Sequence, residues 1–254
     1  MQQIDRRRLL EGLATTGLFA LSGLPLAIAS HRADAAGTGL ARAYPEILKF
    51  AVTREGSPLG VVMERFGSDA ADRITEVYIA FKVDLAFITV YRYEHRSRER
   101  WRDGRLVALD TITNDDGEAQ KVAARTSSSG LQVDGKEGRI VAPSDILPSS
   151  YWHPRFVEQS RMLDSQLGRV LDFTVTEVGS ETIQALGRPT LCTRYAMRGD
   201  IDLDFWYDAD RVWQKMTFTI GGGFIEYTRI APDPADAALF AMPLRDGRTL
   251  PKAG

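Results

Sequence analysis

Apolar and polar residues alternate at every second position through most of this chain, and tight-turn dipeptides break the alternation at short intervals. A period of two marks strands with one buried face, whereas helices repeat about every 3.6 residues. Segments 50–53, 73–83, 86–101, 105–113 and 170–178 read as strands, as do 189–197, 203–207, 212–220 and 224–230. Asp103-Gly104, Asp115-Asp116-Gly117, Ser129-Gly130, Asp134-Gly135, Arg198-Gly199-Asp200 and Gly221-Gly222-Gly223 supply the turns. Parallel pairs need long crossovers, so connections this short impose antiparallel pairing. Only 154–167 reads as helical, with Phe156, Val157, Met162 and Leu163 on one face. The expected fold is mainly β: an antiparallel meander of about ten strands, curled into an open or closed barrel, with one helical connection.

The halves of the chain echo each other. Phe50-Ala51-Val52-Thr53-x-x-Gly56 returns as Phe173-Thr174-Val175-Thr176-x-x-Gly179, Arg92-Tyr93 as Arg194-Tyr195, and Trp101 as Trp206. Arg105, Thr111, Thr113 and Gly117 return as Arg211, Thr217, Thr219 and Gly223. A duplicated meander would give two half-repeats, 48–143 and 170–230, joined by the helical connection at 144–169 and followed by a tail, 231–254.

The first 35 residues read as an export signal. Arg6-Arg7-Arg8 precede an uncharged apolar stretch, 12–29, and Ala33-Asp34-Ala35 offers a small-x-small cleavage site. Paired arginines before a moderately apolar core resemble a twin-arginine signal, with the Sec route as the alternative. Either export machinery would deliver a mature chain beginning near Ala36 to the periplasm. Pro25 breaks the apolar stretch, which disfavours a membrane anchor. The remainder, 36–254, has the length for one large core and reads as a single domain. Cys192 is the only cysteine, so no intramolecular disulfide can form.

Several motifs carry a resemblance. Tyr93-Glu94-His95, Glu99-x-Trp101-x-Asp103-Gly104-Arg105-Leu106, Thr113-Asn114-Asp115-Asp116-Gly117 and Trp206-Tyr207-Asp208 resemble a family of exported bacterial proteins of unknown function. The likeness runs from about Phe50 to Ile230. The pattern is also distantly similar to curved-sheet envelope proteins, among them periplasmic lipoprotein carriers. That resemblance implies a sheet folded around an apolar cavity, and it transfers no catalytic residue.

Chemistry is sparse. Only His95 and His153 follow the signal, so a zinc site lacks ligands, and 114–118 lacks calcium-loop spacing. Nucleophile elbow, phosphate loop and dinucleotide fingerprint are all missing, so neither a metal nor a cofactor is expected. A net charge of −2 disfavours a nucleic-acid partner.

The stretch 91–105 is the most informative. As a strand it places Tyr91, Tyr93, His95, Ser97, Glu99 and Trp101 on one face and Arg92, Glu94, Arg96, Arg98, Arg100 and Arg102 on the other. Burying the arginines would cost more than packing returns, so the aromatic face is expected inside. Candidate cavity-lining residues are therefore Tyr91, Tyr93, His95, Glu99 and Trp101, joined by Trp152, Tyr195 and Trp206. The arginine row would meet solvent, anionic headgroups or a protein partner. His95 and Glu99 form a conceivable acid–base pair, with a salt bridge from Glu99 to a neighbouring arginine as the alternative. Trp152 and His153 are candidates for a lid at a cavity mouth. Three classes stay open: a binding or carrier protein for an apolar or amphipathic small molecule or lipid, an envelope assembly or scaffold protein, and a periplasmic enzyme of unassigned reaction.

Overall fold

The computed structural model describes residues 44–85 and 88–241, so the expected export signal lies outside the described residues. One arm of the sheet contains β1 (Ile47–Arg54), β2 (Ser57–Asp69), β3 (Asp72–Leu85), β4 (Ile88–Arg102), β5 (Arg105–Asp115), β6 (Glu118–Ser127), β7 (Gly130–Gly135) and β8 (Gly138–Ala142). Each strand of that arm pairs antiparallel with the next. The chain then passes to the far edge. There β9 (Leu147–Pro148), β10 (Arg161–Leu163), β11 (Val170–Ala185), β12 (Arg188–Gly199), β13 (Leu203–Asp208), β14 (Trp213–Ile220) and β15 (Gly223–Ile230) work back until β15 pairs with β1. One fifteen-stranded sheet results, running from β8 through β1 and β15 to β9. All its ladders are antiparallel except β9 against β10.

The mainly antiparallel meander expected from the alternation is present, in two arms joined at β1 and β15. It has more strands than expected, because 57–69 and 118–142 fold as strands without a clean alternating signal. The sheet is open: its edges, β8 and β9, share no ladder among the described residues. The seam is nonetheless drawn together. Lys136 N–H in the β7–β8 turn donates to Leu167 O at 2.9 Å. A Cβ on Gly168 would lie 2.7 Å from Gly135 Cα, so the two backbones touch where no side chain fits. Gly168 also has a φ of +77°, which L side chains rarely adopt. Gly168→Ala is expected to cost about 2 kcal/mol in urea unfolding and to speed amide exchange at Lys136.

The helical expectation for 154–167 is corrected. Only Pro154–Glu158 winds, as a single 3-10 turn capped by His153, and β10 follows. Phe156, Met162 and Leu163 are buried as the pattern suggested. They enter the core from the 3-10 turn and from β10 instead of from one helix face. A short helix, α1 (Asp236–Phe240), lies in the tail. It covers the outside of the sheet, where Phe240 packs with Ile47 and Met63 and Asp236 pairs with Lys49 Nζ at 2.8 Å.

The core fills the concave side: Leu48, Phe50 and Val52 from β1 meet Leu109, Phe205 and Trp213. One end of this interior is plugged by the connection. Trp152 is fully buried against Tyr44, Phe66 and Trp101, with ring centroids 5.1–5.5 Å apart for its contacts with Tyr44, Phe66, Trp101 and His153. Phe156 sits 5.8 Å from both Phe173 and Phe205. The opposite end is open.

Candidate functional site

The inner face of β4 is a line through the molecule, from the open mouth at Tyr91 to the plug at Trp101. Alternation puts its side chains inside, as expected, and each finds a different partner. Tyr91 Oη donates to Asp115 Oδ1 at 2.9 Å at the rim, and Tyr93 Oη donates to Gln166 Oε1 at 2.9 Å. Tyr93 also stacks on Phe81, with centroids 5.6 Å apart. His95 Nδ1 lies 2.8 Å from Thr113 Oγ1, and burial pushes the imidazole down to about 4, so it is neutral at physiological pH.

Glu99 neither pairs with His95 nor bridges to an arginine. Its Oε2 accepts from the indole N–H groups of Trp101 and Trp152, at 3.1 Å each. Burial pushes its carboxyl up to about 7, against hydrogen bonds from Trp152, Ser150 and Trp101 that lower it. A second buried carboxyl, Glu64 on β2, projects into the same interior, and neither of its oxygens has a hydrogen-bond partner among the described residues. Burial and then the charge of Glu99 hold Glu64 well above the usual carboxylate range. Thr75, directly opposite Glu99 on β3, is buried, and its hydroxyl has no partner among the described residues. All three are buried, and none lines the cavity at the open mouth.

Three other expected lining residues belong elsewhere. Trp152 and His153 form no lid at the mouth: Trp152 is the centre of the plug, and His153 stacks on Trp101 at 5.3 Å. Trp206 points to the outer face, where it packs with Ile183, Ala185 and Cys192 beneath Arg194. Trp101 and Trp206 therefore occupy opposite faces of the sheet and are not structural counterparts. Tyr195 is on the inner face, stacked on Phe205 at 5.7 Å, away from the mouth.

The arginine row is matched by carboxylates. Arg98 pairs with Glu76 at 2.9 Å, Arg100 with Asp69 and Asp72, and Arg102 with Asp72 at 2.7 Å. Hydrogen bonds from Arg102 and Arg100 hold Asp72 down to about 2. Arg92 is half-buried; burial raises the Glu94 carboxyl, and the charge of Arg92, after that of Arg96, opposes the rise. Arg96 departs from the solvated row. It is buried over the Tyr78 ring at 4.5 Å, bonded to Glu94 and to Leu239 O of α1, so the tail helix covers it.

At the mouth the curled sheet borders a cavity of about 1400 Å³. Tyr91, Tyr151, Met162, Leu171, Leu203 and Phe218 give it apolar walls. Val90, Ile220 and Phe224 also line it, 39%, 37% and 46% exposed, and bring three large apolar side chains to one cavity.

Residues 50–230 match the model of a domain of unknown function, DUF6134. The chain belongs to that family. A crystal structure of a beta-barrel-like protein of the domain of unknown function DUF1849, from Brucella abortus, is similar with a TM-score of 0.54 and 11% identity. The match covers 74% of this chain and 96% of the other, and the likeness is one of fold. No curated protein matches the sequence.

In this DUF6134 domain the interior thus has two parts: a buried cluster around Glu64 and Glu99, and an accessible cavity with both apolar and charged walls. Among the described residues no group of three His, Cys, Asp or Glu side chains is placed to hold a metal. The sequence reading missed Glu64, whose signal was present: it stands in phase with the inward Val62 and Phe66, a charge where the alternation demands an apolar residue. It also missed the convergence of Val90, Ile220 and Phe224 on the cavity, since they come from distant strands.

Proposed function

We propose that this DUF6134 member is an exported protein of the bacterial periplasm that binds or carries an apolar or amphipathic small molecule or lipid in its barrel. The observation that carries the reading is the open cavity with aromatic and aliphatic walls and three exposed apolar side chains. Its volume lies somewhat above the range common for small-molecule sites, which suits an alkyl chain with its headgroup. The mature chain reads as a single domain preceded by an export signal, and the similarity to a beta-barrel-like protein agrees with a container fold. The buried carboxyls Glu64 and Glu99 do not line the cavity, which favours binding over catalysis.

Native mass spectrometry of the protein purified from its own periplasm tests this directly. A mass excess that dissolves into organic solvent as a lipid or other apolar molecule is the expected result. A clean apo mass, with no uptake of an added fluorescent apolar probe, would count against the reading. Val90→Asp with Phe224→Asp should weaken probe binding at least fivefold while changing stability by less than about 0.5 kcal/mol, because both positions are exposed.

A further inference from the structure

The charges around the mouth do not balance. Three cations line the cavity, and each already has an anion: Lys136 with Glu118 at 2.7 Å, Arg169 with Asp164 at 3.2 Å, and Arg198 with Asp204 at 2.7 Å. Four further carboxylates line it without a close ion pair among the described residues, Asp115, Asp116, Asp200 and Asp202, and the cavity carries more negative than positive groups. Asp115 accepts from Tyr91 Oη, Asp200 from the Asp172 N–H, and Asp202 from the Gly199 N–H. Hydrogen bonds of that kind orient a carboxylate without cancelling its charge.

A second observation points to a donor. Gln120 lines the same cavity, is only 8% exposed, and its Oε1 has no hydrogen-bond partner among the described residues. A buried amide oxygen left without a donor costs about 1–3 kcal/mol, so the site gains when a ligand brings one. Gln120 stands two residues from Glu118 on β6, across from Thr113 and close to the Asp115–Asp116 turn.

Resting on the binding function proposed above, we infer that the ligand is an amphipathic primary amine. Its apolar body lies along Tyr91, Tyr151 and Phe218, and its ammonium group sits between Asp115, Asp116 and Gln120 Oε1. An ammonium group has three donors and one charge, which meets both the unbalanced carboxylates and the unpartnered amide. Burial and then the charges of Glu118 and Asp116 raise the Asp115 carboxyl above the usual aspartate range, against the Tyr91 hydrogen bond and the more weakly felt Lys136 charge that lower it. A bound cation relieves that crowding. The same cavity carboxylates repel anionic headgroups, so a fatty acid or an acidic lipid fits poorly.

Calorimetric titration of the mature protein at pH 7.5 with octylamine, octyltrimethylammonium, 1-octanol and octanoate separates this inference from the reading beneath it. Octylamine should bind at least tenfold more tightly than octanol, and octanoate should bind most weakly. Octyltrimethylammonium, which carries the charge without a donor, should fall between octylamine and octanol. The amine's advantage should shrink in high salt. Asp115→Asn with Asp116→Asn should bring octylamine to within threefold of octanol. Octanol binding should be unchanged, since the amide oxygen introduced at position 115 can still accept from Tyr91. Gln120→Met, a variant of similar volume, should lower octylamine affinity and spare octanol, and serves alone if the double variant fails to fold. Equal binding of octylamine and octanol, or tighter binding of octanoate, would overturn the amine inference while leaving an apolar carrier. Binding of none of the four would overturn both.

Discussion

Glu99→Gln should stabilise the protein by about 3 kcal/mol at pH 8 and by almost nothing at pH 4.5. The folded carboxyl is pushed from an ordinary 4.5 up to about 7, chiefly by burial. Between those values the folded protein holds a proton that the unfolded chain has released, so stability falls as pH rises through the window. Above it the loss is complete, and at about 1.36 kcal/mol per pH unit it reaches the stated figure. Glutamine carries no proton to lose, yet its amide oxygen can accept from the Trp101 and Trp152 indoles. Glu64 acts in the same direction, since burial and Glu99 raise it too.

The two histidines oppose this trend in the wild type. Burial holds His95 down to about 4, and burial, then Arg155 and Arg73, hold His153 down to about 3. Each is more easily protonated in the unfolded chain, so their contributions grow with pH up to about 6.5. The difference between variant and wild type cancels them, and that difference is the quantity to measure, by urea unfolding from pH 4.5 to 8.5. A difference that stays flat with pH would mean that Glu99 ionises in the fold at no cost.

Trp152→Ala should be the most damaging single truncation, at about 3–5 kcal/mol. The ring is fully buried, contacts Tyr44, Phe66, Trp101 and His153, and donates to Glu99. Removing it leaves a cavity at the centre of the plug and withdraws a donor from a buried acid. Trp152→Phe separates the two effects, since it keeps most of the packing and should cost about 1–2 kcal/mol. Differential scanning calorimetry and near-ultraviolet circular dichroism would read both variants. Equal losses for Ala and Phe would show that the hydrogen bond, and not the packing, holds the plug in place.

How much of this was legible beforehand depends on where side-chain identity and burial coincide. Along β4 they do: Tyr91 to Trp101 alternate cleanly, and Asp103-Gly104 marks the turn that follows, with both residues in the left-handed region. On β6 they do not, because Gln120, Val122 and Ala124 point inward and two of those three are poor hydrophobic markers. β2 was hidden by Pro58 and Gly60 near its start. Gly60 is required there, since a Cβ would lie 2.0 Å from Ala80 O. The apolar spacing of the plug imitates a helix; only the surrounding sheet dictates that Phe156, Met162 and Leu163 all turn inward. The mouth is assembled from several turns far apart in the chain, and no local pattern encodes such an assembly.

The pairing of β1 with β15 has a kinetic consequence. Phe50 lies opposite Arg229, so nearly the whole described chain separates the two strands that join the arms. Neighbouring hairpins can form early, as each needs only a short loop to close. The join at β1 must wait until β15 exists, and such distant contacts make folding slow. Until then β1 presents a bare hydrogen-bonding edge with Phe50 and Val52 uncovered, a template for pairing with another chain. Whatever protects this protein before it is finished must therefore shield the beginning of the sheet until its last strand arrives.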